Sequence, residues 1–403
     1  MKKLAMLAAA CICLMQISVT GVFAEEKTIQ IGALYPISGN LALMGEESWR
    51  GAEIARILRN RQGGVAGKQI VFRQGDASTN SAARSETERM IEQDKVKAIL
   101  GTYASSRCMV ASEVAARKDI FYFELGAIAN AITQRGYKTV WRTCPTSLDF
   151  CRGQVNFIIN WLAPTLGKKA NEIKVGIAHE DGEYGTSVAN SFATLAKKTG
   201  LQIVSVEAYS NTSNDLSSVI FRLRKAAPDI VVAVSSSQDA ILLSRQANEL
   251  GLNIPIMGTG GGHSFQSFAD GLGPQANGVL NVDFTQYHVN TKYTPGLEEF
   301  VKLYQETFKH FPRAGSSLAN FMGANVIFNI LEKTGGSFDP EKIRKVAMAM
   351  DIQPGHTATG WGVKFDKEGQ NVRAECLVTQ WRDGKLVTVW PKKFAVMEPI
   401  LVK

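Results

Sequence analysis

Short apolar runs that suit buried strands alternate with helix-period segments along almost the whole chain, and this rhythm excludes most other architectures. TIQIGALYP alternates Ile29, Ile31 and Ala33 and stops at Pro36, then EESWRGAEIARILRNRQ sets Gly51, Ile54, Ala55 and Leu58 at helical spacing. GGVAGKQ turns the chain into a second strand, KQIVFRQGD, and Asn80 is placed to cap a helix running to about Gln93. KAILG, DIFYFE and TVWRT follow as short buried strands around a helix near 108–117. Strand–helix alternation of this kind predicts a parallel sheet covered on both faces.

The rhythm restarts after Pro145. A helix near 149–163 leads into IKVGIAHE, a helix from about Tyr184, LQIVSVEAY, a helix near 215–226, DIVVAVSSS, a helix through Leu250 and IPIMGTG. Helices near 296–310, 316–334 and from Pro340 come next, and GWGVKFD, RAECLVTQW and KLVTVW close the chain as strand-like segments. The expected fold class is α/β: two doubly wound lobes, crossed more than once by the chain.

Residues 1–24 carry Lys2 and Lys3, then an uncharged apolar stretch, then Val22-Phe23-Ala24 before Glu25, which is the pattern of a cleaved export signal. A membrane anchor and lipidation at Cys11 or Cys13 fit less well: charges follow at once, and Ala8-Ala9-Ala10-Cys11 is a poor and early lipobox. Losing the two leader lysines takes the net charge from +8 to +6. The densest basic run, Arg222-Leu223-Arg224-Lys225, lies on a predicted helix without interleaved aromatics, so it reads as a solvated face and no nucleic-acid partner is expected. Beyond the leader, no apolar run approaches the roughly 18–20 residues that cross a bilayer. Cys144 and Cys151 are close enough to pair across a loop–helix junction in an oxidising compartment, and buried free thiols are the alternative.

No catalytic constellation emerges. His179, His263, His288, His310 and His356 do not fall at metal-ligand spacing, and no cysteine pair reads as a zinc site. G-x-S-x-G is absent, and GGVAGKQ is a residue short of a phosphate loop, with Gln69 where a hydroxyl is needed. Neither enzyme activity nor a cofactor is expected. What recurs is a strand entering a loop that opens a helix: AILG-TYASS, FYFEL-GAIAN and GIAHEDGEYG. Open α/β sheets bind ligands there, where helix N-termini present free N–H groups. Tyr103, Ser105 and Ser106 of the first loop, and Gly126 and Ala127 of the second, are candidate ligand contacts. The serine hydroxyls suit a carboxylate, and serve equally as plain N-caps. Tyr184 is either a cleft wall or an exposed surface ring.

At these residues the chain resembles the type I periplasmic solute-binding proteins, in the leucine/isoleucine/valine-binding branch of ABC import systems. The similarity runs in register from IGALYPISG with Gly45 and GAEIA, through GGVAGK, KAILGTYASS and ITQRGYKTVWRTCPT, to DGEYG, PDIVVAV, SRQANELGL, GPQANGV and TGWGVKFDKEGQ. The resemblance implies two lobes joined by crossover hinge strands, with residues 25–146 and 284–355 in the first and 147–283 and 356–403 in the second. It implies a monomeric periplasmic receptor, cleaved after Ala24, that closes over a small molecule and docks transiently on an inner-membrane permease. It also implies that Ser105 binds the ligand carboxylate, Gly126 offers a backbone contact and Tyr184 lies against the ligand.

Departures from that pattern bear on the ligand. Gly260 stands where the amino-acid binders carry an acid for the ammonium, Ile128 replaces a threonine, and Ser236 and Ser237 replace an aromatic wall. Ala104 also removes one cysteine of the usual disulfide. An unpaired buried ammonium costs on the order of several kcal/mol. Either Glu124 therefore supplies the counter-charge, with Asp239 and Asp283 as lesser candidates, or the ligand has no ammonium. Glu124 equally suits a carboxylate that satisfies backbone N–H groups. Aliphatic amino acids, short amides or urea, and aromatic or aliphatic carboxylates stay open as ligands. A periplasmic sensor of the same fold, feeding a signalling partner, is the alternative function.

Overall fold

The computed structural model describes residues 28–402, so the export signal and its cleavage point lie outside the described residues. Five parallel strands form the first sheet: β1 (Thr28–Tyr35), β2 (Gln69–Asp76), β3 (Ala98–Gly101), β4 (Phe121–Glu124) and β5 (Val140–Arg142), in the order β2-β1-β3-β4-β5. The period-2 pattern of β1 decides its packing. Ile29, Ile31, Ala33 and Tyr35 face one cluster with Ala52 and Ala55 of helix Ala42–Arg61, and Leu34 faces a second cluster with Ala83, Met90, Cys108 and Ala111. The helix expected near 108–117 begins earlier, at Ser105. Thr79 rather than Asn80 caps helix Asn80–Glu92, its hydroxyl accepting the Ala82 N–H at 3.0 Å. Asn80 instead occupies the first helical position.

The second sheet holds β6 (Lys174–Glu180), β7 (Gln202–Tyr209), β8 (Ile230–Val234), β9 (Ile256–Thr259), β10 (Leu280–Asp283), β11 (Leu377–Arg382) and β12 (Lys385–Trp390), ordered β12-β11-β10-β9-β8-β6-β7. β6 to β10 run parallel, while β11 pairs antiparallel to both β10 and β12. Val175, Ile177, Val232 and Val282 pack toward helices Ser147–Phe157 and Glu183–Thr199. Ala178, Val231 and Ala233 pack toward helices Ser217–Ala226 and Ser237–Glu249. The expected doubly wound α/β architecture is therefore present twice.

The chain passes between the sheets after β5, after β10 and again before β11. Helices Leu297–Phe308 and Gly315–Lys333 return to the first sheet, where Phe300 and Leu318 pack with Ile54. GWGVKFD, expected as a strand, makes only isolated bridges, Ile352 to Val363 and Phe365 to Asn371. The Asn371 side chain takes over the pairing: its amide donates to the Thr143 and Gly362 carbonyls at 3.0 Å each, and its oxygen accepts the Lys364 N–H at 3.0 Å.

Cys144 and Cys151 are not bonded to each other; both are buried free thiols. The Cys144 thiol faces the Ala127 carbonyl at 3.6 Å, and the Cys151 thiol faces the Val188 carbonyl at 3.4 Å. The backbone turns the two side chains onto different elements, and burial raises both thiol pKa values.

Candidate functional site

The strand-to-helix loops of the two sheets face each other across a cleft of about 260 Å³. That is close to the low end of ligand pockets, roughly 300–1,000 Å³, and suits a small solute. Tyr103, Ser105, Ser106 and Gly126 line it from the first sheet, and Tyr184, Ser236 and Gly260 from the second. Two sequence candidates lie elsewhere. Ala127 is buried off the cleft wall, with its carbonyl turned to the Arg142 guanidinium at 3.2 Å. Glu124 is fully buried behind the wall, and its carboxylate is spent on backbone.

The Glu124 geometry decides between its two readings. One oxygen accepts the N–H groups of Tyr103, Leu125, Gly126 and Ala127 at 2.7–3.1 Å, and the other accepts that of Thr102 at 2.7 Å. Five backbone N–H groups converge on one carboxylate, with the Thr102 and Tyr122 hydroxyls at 3.4 Å beside them, so Glu124 shapes the TYASS and GAIAN loops and does not face a ligand.

Ser105 opens helix Ser105–Arg117, and the first backbone bond of that helix runs from the Cys108 N–H to the Ala104 carbonyl. The N–H groups of Ser105, Ser106 and Arg107 precede it, at the positive end of the helix dipole. The Ser105 hydroxyl oxygen accepts the Ala129 N–H at 3.2 Å, which leaves its proton for an acceptor in the cleft. Arg107 lines the same wall and is a site residue that the sequence reading missed, because that helix was expected to start later. Its guanidinium donates to the Ser106 hydroxyl and the Ser78 carbonyl, while its buried Nε has no partner. Burial lowers the guanidinium pKa, and the nearby Glu180 opposes that shift.

Across the cleft, Tyr184 begins helix Glu183–Thr199 and donates its hydroxyl to the Thr259 carbonyl at 2.5 Å. Glu180 braces the DGEYG loop by accepting the N–H groups of Gly182 at 2.8 Å and Gly185 at 2.6 Å. Gly260 has φ of +66°, and a Cβ there would stand 3.2 Å from the Tyr184 hydroxyl, so both conformation and space favour glycine over an acidic side chain. Of the two acids weighed beside Glu124, Asp239 sits away from the cleft wall under the Tyr209 hydroxyl at 3.1 Å. Asp283 lines the cleft. Burial pushes Asp283 up to about 7, against the lowering effect of hydrogen bonds from Ser264 and the Phe284 N–H.

A solute-sized cleft thus lies between two doubly wound sheets, lined by the loops at the carboxyl ends of their strands. The model of the periplasmic binding protein family matches residues 28–385. The chain belongs to that family. Members of it bind solutes and are not enzymes. The chain is 44% identical over 382 residues to the Leu/Ile/Val-binding protein homolog 8 of Brucella suis, covering 94% of each chain. A branched-chain amino acid transporter substrate-binding protein of Streptococcus pneumoniae, solved with isoleucine, superposes with a TM-score of 0.76 at 21% identity, covering 89% of this chain and 98% of that one. A solute-binding protein of R. palustris, solved with benzoate, gives a TM-score of 0.75 at 19% identity, covering 92% of this chain and 98% of that one. At those identities the two solved structures share the fold with this family member.

Below the Gly260 turn, His263 is fully buried, neither ring nitrogen has a partner, and burial lowers its pKa to about 3. The unfolded imidazole protonates near 6.5, so His263 costs the folded state stability progressively as pH falls from about 6.5 toward 3. Asp283 has the opposite sign: its contribution is complete below about 4 and is lost as pH rises toward 7. His263→Leu should stabilise the protein at pH 8 by removing unsatisfied nitrogens, and by about 2 kcal/mol more at pH 5. Calorimetric melts at the two pH values measure the difference. An equal gain at both would place the imidazole in contact with water.

Proposed function

We propose that this protein is the solute-binding component of an ABC importer in the periplasm, capturing one small molecule by closing two lobes over it. The lobe division is 25–146 with 284–355 and 147–283 with 356–403, and the presence of two separate sheets with repeated crossings supports it. The observation that carries the reading is the cleft itself, in which Ser105, Ser106 and Arg107 present backbone N–H groups, a hydroxyl proton and a guanidinium from one wall, while Tyr184 faces them from the other. Such a wall suits a carboxylate. The isoleucine and benzoate of the two solved neighbours both carry one.

Closure follows from differential contact: a solute that touches both walls favours the closed form by the interactions it gains there. The closed shape is what a membrane permease would recognise, as a transient partner of the monomeric receptor. A thermal-shift panel of aliphatic amino acids, short amides with urea, and aromatic and aliphatic carboxylates, run on unfolded and refolded protein, tests capture. A ligand at 100 times its dissociation constant adds about 2.7 kcal/mol. X-ray scattering should show compaction with the solute that shifts the melt. No shift and no compaction with any class would defeat the proposal. Ser105→Ala should weaken a carboxylate ligand by roughly 1–3 kcal/mol in calorimetry, since a donor to a charged group is lost. An unchanged affinity would place the carboxylate elsewhere.

A further inference from the structure

We infer that Asp283 receives the amino group of the captured solute, doing from the end of β10 what no side chain at Gly260 can do. The inference deepens the capture reading above and rests on it.

Asp283 is 2% exposed and lines the cleft. One of its oxygens accepts the Ser264 hydroxyl and the Gln286 amide at 3.2 Å, and the other accepts the Phe284 N–H at 2.7 Å. A carboxylate offers about four acceptor positions, so the second oxygen keeps one. Among the described residues, no ammonium or guanidinium pairs with Asp283. The titratable groups that face it are the Tyr103 and Tyr184 hydroxyls and the Cys376 thiol, all held neutral by burial. The cation on the cleft wall, Arg107, has Glu180 near it instead. A buried carboxylate with spare acceptor capacity and no counter-charge is costly until a cation arrives.

The other acids are placed differently. Glu124 is saturated with backbone donors and Asp239 sits off the wall, Glu180 holds the DGEYG loop with the Arg107 guanidinium near it, and Asp181 and Glu183 line the cleft where water reaches them, Asp181 exposed and Glu183 partly so. Asp283 also reaches the first sheet. The Gln286 amide that donates to it presents its own oxygen to the Gly315 N–H at 2.9 Å, at the start of helix Gly315–Lys333. Charge fixed at Asp283 therefore bears directly on the crossover that must flex on closure. An amino group at Asp283 and a carboxylate at Ser105 together describe an amino acid, with neither group left unpaired.

Isothermal titration with two matched pairs tests this: L-leucine against 4-methylpentanoate, and L-phenylalanine against 3-phenylpropanoate. Wild-type protein should bind the amino acid of one pair at least 30-fold more tightly than its deaminated partner. Asp283→Asn should erase that preference while retaining affinity for the deaminated acid, and Asp283→Glu should restore part of it. Amino-acid affinity in the wild type should strengthen from pH 5.5 to pH 8, because the ionised carboxylate is the binding form, and should be flat in Asp283→Asn. Circular dichroism melts confirm that each variant folds. An equal loss for both members of a pair, an unaltered preference, or wild-type preference for the deaminated acid would overturn the assignment. So would wild-type binding of neither member alongside compaction by an amide or benzoate, and in that case the capture reading stands.

Discussion

Glu124→Gln should cost this protein more than 4 kcal/mol of stability and leave little folded chain at 37 °C, although the exchange preserves volume. Five backbone N–H groups point at the two carboxylate oxygens. A carboxylate is acceptor-only, whereas an amide replaces one oxygen with a two-proton donor. Put at one position, the NH₂ group meets the Thr102 N–H; put at the other, it meets four N–H groups at once. Either way donors face donors in a fully buried region, and each orphaned buried group costs about 1–3 kcal/mol. Breaking a buried charged network of this kind is among the few mechanisms that produce losses above about 4 kcal/mol. Arg142, also fully buried, would lose a nearby opposite charge as well. Urea unfolding followed by far-UV circular dichroism measures the loss. A cost below about 1 kcal/mol would mean that the two loops have other support.

Gly51→Ala should destabilise the fold by roughly 3 kcal/mol, reversing the usual sign. Alanine ordinarily improves a helix interior by about 1 kcal/mol over glycine. In helix Ala42–Arg61, however, a Cβ at Gly51 would stand 1.8 Å from the Ser317 carbonyl oxygen and 2.7 Å from its Cα. The obstacle is the backbone of helix Gly315–Lys333, which cannot swing aside as a side chain would. The two helices must separate, opening the seam where the buried Glu47 carboxylate accepts the Ser317 hydroxyl at 2.5 Å and the Tyr304 hydroxyl at 2.7 Å. Overpacking a well-fitted contact costs typically 1–3 kcal/mol, and loosening a buried charge adds to it. Denaturant midpoints of the wild type and Gly51→Ala decide the sign, and a stabilised variant would show that the helices have room to spare.

Both effects show how far the residues could be read alone. Ile29, Ile31 and Ala33 alternate because they sit on a strand with one face toward helix Ala42–Arg61, and period and burial coincide there. Ser105, Gly126 and Tyr184 were legible because helix-opening loops at strand ends are local features. Arg107 escaped because the start of its helix was set three residues late. GWGVKFD looked like a strand, and the side chain of Asn371 took its backbone partners instead. Glu124 was recognised as unusual in a buried strand, but whether a solute or the backbone would meet it depended on loops 20 residues apart in sequence folding onto the same carboxylate.

Local pattern therefore determined the α/β class, the duplication of the unit and the helix-opening loops, because hydrophobic period and turn chemistry act over a few residues, while the missing acid at Gly260 was legible only through the family resemblance. Only the folded chain decided that Cys144 and Cys151 stay apart, that Glu124 is structural, and that Asp283 lines the cleft while Glu124 and Asp239 do not. Those outcomes depend on which distant groups share a desolvated space, and burial fixes the value of a charge or a thiol far more strongly than its sequence neighbours do.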